Sequence, residues 1–162
     1  MPAPTGYSRL QISLHWIIAL LILTMFFSGE VMGEFGEMLR DSPGAQQPVG
    51  VYAHIGAGIS VLVLVLWRIA VRLRRGAPAA PNGTDKRQEM VALIVHLGLY
   101  AVMVIAPISG LLAWFGGLHT AEEVHEAIKP ILIVLLVLHI AGALYHQYVL
   151  KDGLLRRMMK AG

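Results

Sequence analysis

The chain has 162 residues and a formal net charge of +3; 56% of its side chains are apolar and only 14% charged. That length suits one domain, the scarcity of charge points to lipid as the solvent, and so small a net charge gives no argument for a nucleic-acid partner. The absence of cysteine excludes disulfides, iron–sulfur clusters, thiolate zinc sites and covalently attached c-type haem.

Four stretches carry no Asp, Glu, Lys or Arg: Leu10–Gly29, Ser42–Trp67, Met90–Ala121 and Pro130–Leu150. Each supplies about the 20 apolar residues that a helix needs to cross the hydrocarbon core, and none alternates as a barrel strand would. The first is too long for a signal-peptide core, holds His15 and Trp16, and lacks a small-x-small cleavage site, so it reads as a retained helix. The expectation is one all-α domain over 1–162, a bundle of four transmembrane helices at about 8–29, 49–74, 88–115 and 122–150. Gly44 to Pro48 reads as a turn, and Ala77–Gly83 as a flexible linker. Pro107, with Ser109 and Gly110, is expected to kink the third helix, and Pro130 to loosen the fourth.

The charges predict an orientation. The amino terminus, the second loop and the carboxyl tail hold eleven basic residues (Arg9, Arg68, Arg72, Arg74, Arg75, Lys86, Arg87, Lys151, Arg156, Arg157 and Lys160). The other two loops hold two, Arg40 and Lys129, and seven acids: Glu30, Glu34, Glu37, Asp41, Glu122, Glu123 and Glu126. The positive-inside rule places both termini in the cytoplasm. The basic loop reads as a lipid-facing anchor, from which Arg68 or Arg72 could reach a haem propionate.

The histidines carry the chemistry. A polar side chain inside a membrane helix is costly and normally has a partner. His15, His54, His96, His125, His139 and His146 all lie in or at the ends of spans, whereas His119 reads as a solvated loop residue. By depth, His54 and His125 fall near the outer surface, and His15 in the inner half. His139 follows His125 by fourteen residues, about 21 Å along the helix and within roughly 40° of the same face. His54 can therefore pair with His125, and His15 with His139, as axial ligands of two haems. Gly56 and Gly58 after His54, Gly142 and Ala143 after His139, and Ala19 after His15 leave room for a flat macrocycle. His146, which would separate the irons by about 31 Å, and His96 are rival inner ligands. The bland alternative is interhelical hydrogen bonding; a histidine-based metal transporter is a further rival, disfavoured because its ligands should converge.

The run Tyr7-Ser8-Arg9-Leu10-Gln11-Ile12-Ser13-Leu14-His15-Trp16 resembles the opening of the bacterial cytochrome b561 family. His54-Ile55-Gly56 with the apolar run to Arg68 is similar to its second helix, His96 with Pro107 and Gly110 to its third, and Val124-His125-Glu126 with His139, Tyr145-His146 and Lys151-Asp152 to its last. The resemblance covers nearly the whole chain. It implies a multi-pass protein of the bacterial inner membrane with two haems b, the inner on His15 and His139 and the outer on His54 and His125, and so decides against His146 as a ligand. One branch of the family, the superoxide oxidases, passes an electron from superoxide to ubiquinone, although an anionic substrate suits cationic guidance and the outer loops here are acidic.

The expected function is electron transfer from a small periplasmic donor such as superoxide to ubiquinone. His96 and His146 are candidate proton donors at the quinone, with Ser8 and Arg9 as polar neighbours. The small loops suggest no obligatory protein partner, the alternative being a haem b subunit that relays electrons for a dehydrogenase.

Overall fold

In the computed structural model, which describes residues 4, 6–42, 44–81 and 84–162, helix α1 spans Arg9–Asp41, α2 Val49–Arg75, α3 Lys86–Gly116 and α4 His119–Tyr145. A π-helical turn, His146–Leu150, and a short α5, Leu154–Arg157, complete the chain. Four helices are long and apolar enough to cross a membrane, and no strand occurs among the described residues. The all-helical, four-span architecture read from the sequence is the one observed.

Local chemistry explains where the helices begin and turn. The Ser8 hydroxyl accepts the Gln11 N–H at 3.2 Å while the Gln11 side chain accepts the Ser8 N–H at 3.0 Å, a reciprocal cap that satisfies two orphan donors. Asp85 and Gln88 do the same for α3. At the end of α3, Gly117 adopts φ 62° and its N–H reaches the Ala113 carbonyl. That left-handed conformation favours glycine, and the short turn through Leu118 sends α4 back along α3. Both α3 and α4 continue through their prolines, Pro107 and Pro130.

Two boundaries differ from the expectation. Glu30, Glu34 and Glu37 were expected in a loop beyond residue 29, but α1 carries them as helix to Asp41. The segment is rich in helix-favouring Glu, Met and Leu, and Phe35, 1% exposed, anchors it against Trp114 with ring centroids 6.3 Å apart. At the other end, the fourth helix widens into π geometry at His146 instead of continuing as α-helix to residue 150. His119 is the first residue of α4, exposed as expected and bonded to Glu122. Asn82 and Gly83 of the linker, and the Arg40 side chain, lie outside the described residues.

The helices pack as two hairpins, α1 with α2 and α3 with α4, joined along an α2–α3 seam. Ile18, Ile22, Val61 and Val65 form the core, with Tyr100, Met103, Leu132 and Leu136 against it. Among the described residues, no α-carbon of α1 or α2 comes within 8 Å of one in α4. α4 therefore meets α1 and α2 through side chains alone, Leu132 and Leu136 among them. The carboxyl tail folds back over the end that holds both termini: Trp16 Nε1–H donates to the Met158 carbonyl at 2.8 Å, Arg157 to Ala79 at 2.8 Å, and the Gly162 N–H to Tyr7 at 3.3 Å.

Candidate functional site

The histidines meet in pairs between α4 and the two helices whose backbones it does not closely approach. His15 on α1 and His139 on α4 bring their ring centroids to 5.9 Å, with planes at 63°. His54 on α2 and His125 on α4 stand 6.4 Å apart, with planes at 80°. Two imidazoles sharing one metal, each nitrogen about 2 Å from it, have centroids roughly 6 Å apart. Both pairs meet that condition. Between the two levels lies the apolar core, with Leu132 and Leu136 of α4 reaching into it.

A ligating imidazole must offer one nitrogen lone pair while its other nitrogen holds the proton. The Ala106 carbonyl lies 2.8 Å from His125 Nδ1. A carbonyl only accepts, so Nδ1–H donates and Nε2 keeps its lone pair. The ring reaches that carbonyl because residue 110 is glycine: a Cβ there would lie 3.1 Å from His125 Cε1 and Nδ1. At His54, Nδ1 is 3.1 Å from Ser28 Oγ, which also lies 3.4 Å from the Met25 carbonyl. With the Ser28 proton directed at Met25, Ser28 accepts from Nδ1–H and leaves Nε2 of His54 as the free nitrogen. Among the described residues, His15 and His139 make no side-chain hydrogen bond. Gly56 and Gly142 have nothing within 4 Å of their Cβ positions, as room for a macrocycle requires, whereas Gly58 abuts Met25 in the α1–α2 interface.

The remaining candidates separate. His96 packs its ring 5.1 Å from His139 and bonds through Nδ1 to the Ala92 carbonyl of its own helix. It stands on α3, directly packed on α4, where no spacing for a ring exists. His146 donates through Nδ1 to Asp152, whose other oxygen accepts the Leu154 N–H at 2.9 Å. Ser8 is occupied by its capping role and Arg9 is exposed. None of Ser8, Arg9, His96 and His146 hydrogen-bonds to another among the described residues. Arg68 donates Nη1–H to the Gln11 carbonyl at 2.6 Å and Nε–H to Tyr100 at 3.2 Å; with Tyr7 and Arg72 these groups line a small polar recess one turn from His15. The supports Ser28 and the Ala106 carbonyl carried no site signal in the sequence, while Gly110 and Asp152 entered only as part of the family resemblance, Gly110 also as a kink, with no site role assigned to either.

Paired imidazoles held by membrane-spanning helices are the arrangement that a b-type cytochrome of the helical-bundle class uses. A family model described as prokaryotic cytochrome b561 matches residues 6–161. The chain belongs to that family, and with it come haem b, electron transport and a bacterial membrane as the setting. It is similar to cytochrome b562 of Cereibacter sphaeroides, 40% identical over 162 residues that cover 99% of each chain. It is also similar to a Yersinia pestis protein named Probable superoxide oxidase CybB, 29% identical over 94% of this chain and 95% of that one. Cytochrome b561 homolog 1 of Escherichia coli is 27% identical, over 94% and 96%.

Proposed function

We propose that the chain holds two haems b, one between His15 and His139 and one between His54 and His125, and carries electrons across the bacterial inner membrane from an outer donor to a quinone. The observation that carries this reading is the placement of both histidine pairs at metal-sharing separation between helices whose backbones do not approach closely. Haem b, when bound, supplies a one-electron redox centre at each level. The protein's part is to present four imidazoles from three helices, fix the tautomers of His54 and His125 through Ser28 and Ala106, and keep water out of the apolar layer between.

The basic end, with both termini, lies in the cytoplasm in this reading. His96, beside the inner pair, and His146, tied to Asp152, deliver protons to the quinone; Ser8 and Arg9 shape the entrance. At the opposite end Glu126 neutralises Lys129, so the acidic surface favours a donor of low negative charge over superoxide, despite the name of the Yersinia relative. No group of three or more His, Asp or Glu among the described residues is placed to hold a single metal ion, which favours haem over a metal carrier.

The test is a pyridine haemochrome assay on detergent-purified protein and on single alanine replacements of His15, His54, His125 and His139. Two haems b per chain are expected for the parent and one for each variant; a colourless parent, or four unaffected variants, sinks the reading. Glutamine replacements of His96 and His146 should slow quinone reduction roughly a hundredfold with haem content unchanged, and an unaltered rate would remove them from the mechanism.

A further inference from the structure

Resting on that two-haem reading, we infer that Ser28 and the backbone carbonyl of Ala106 are positioning groups that set the direction of electron flow. They do so by holding the reduction potential of the His54–His125 site below that of the His15–His139 site.

The argument begins with an asymmetry between the two pairs. Both imidazoles of one pair find an acceptor at Nδ1: Ser28 Oγ at 3.1 Å for His54 and the Ala106 carbonyl at 2.8 Å for His125. Neither imidazole of the other pair makes a side-chain hydrogen bond among the described residues. An acceptor at Nδ1–H pulls the proton outward and makes Nε2 a more basic ligand. A more basic ligand favours the oxidised, more positive iron, and so lowers the potential; axial-ligand hydrogen bonding is one of the main levers by which a protein sets it.

The arrangement is built, not incidental. A His54 that ligates through Nε2 carries its proton on Nδ1, so Ser28 is its acceptor, and the Met25 carbonyl at 3.4 Å from Oγ takes the hydroxyl proton. The Ala106 carbonyl is reachable because Gly110 leaves space for the ring, and buried Ser109, 5% exposed, donates to the same oxygen at 2.9 Å. Charge adds to the tilt. Arg68, bonded only to neutral groups, sits one turn from His15, and a nearby cation favours the reduced iron. Lys129, on the helix of His125, has Glu126 beside it. An electron arriving at the His54–His125 site is thus downhill to the other: one iron is oxidised as the other is reduced, with no further reactant.

The experiment is a spectroelectrochemical titration of the haem-loaded protein, its Ser28→Ala and Ser28→Thr variants, and the single-haem His15→Ala variant. The expected result is two resolved midpoints in the parent, the lower matching the one that remains in His15→Ala. Ser28→Ala should raise that lower midpoint alone, shifting the electron's partition between the sites by up to tenfold, or about 59 mV for one electron. Ser28→Thr, which keeps the hydroxyl, should restore it. Two haems with equal midpoints, a lower midpoint absent from His15→Ala, or midpoints that Ser28→Ala leaves unmoved would overturn the inference while the proposed function stands. A parent without two haems would end both.

Discussion

A single methyl group added at position 110 would meet the His125 ring, since its carbon would lie 3.1 Å from Cε1 and Nδ1. The ring would have to tilt away from the Ala106 carbonyl that fixes its tautomer. Gly110→Ala should therefore loosen haem at the His54–His125 level by roughly tenfold, seen as partial loss of pigment on dilution. Gly33→Ala, where nothing lies within 4 Å, should leave content unchanged. Asp152 offers a second reading at this scale. Partial desolvation pushes its carboxyl up, but the hydrogen bonds from His146 and the Leu154 N–H, with the charges of His146 and Arg157, hold it below the ordinary value of 3.8. A carboxyl lowered on folding contributes stability above that value and loses it as pH falls through the lower, folded one. The tail should stay fastened at neutral pH and release only in acid below 3.8, measured as the rate of limited proteolysis; Asp152→Asn should loosen it at pH 7 and remove the acid step. The histidines were legible in the sequence because a polar group in lipid needs a reason. Their supports were not, because Ser28 and Ala106 reach His54 and His125 only through tertiary folding.

Among the elements, α1 shows what hydropathy can and cannot mark. Its apolar stretch identified a membrane span, yet the helix runs on to Asp41 because nothing breaks it and Phe35 has a place to dock. The charge pattern reported where the lipid ends, not where the hydrogen-bond ladder does. Phe35→Ala should cost the extension its anchor, a local loss of roughly 3 kcal/mol. Hydrogen exchange over residues 30–41 should speed accordingly while the span below stays protected, and uniform exchange along α1 would show the anchor to be unimportant. The π turn at His146 was likewise invisible: five ordinary residues widen there because the left-handed Lys151 and the Asp152 N–H both turn back on the His146 carbonyl. Such turns recur at functional positions, and this one presents His146 to Asp152.

Across the whole molecule, the two-level placement of the paired histidines followed from counting residues along α4, because helical rise converts sequence distance into depth. What counting could not supply was which helices pack and which stand apart. Lys and Arg distribute eleven to two between the ends, and that asymmetry predicts the side on which each lies. A fluorescent protein fused after Gly162 should glow, and alkaline phosphatase at the same place should be inactive; the opposite pair of results would invert the proposed path of electrons. The placement of α4 has a mechanical consequence too. In the proposed assembly it contributes one ligand at each height, while α1 and α2 hold the counterparts. Each bound porphyrin is then a rivet between two hairpins whose backbones approach each other along one seam. Resistance to unfolding and depth of colour should climb together as haem is supplied, so that the pigment serves as mortar as well as cargo.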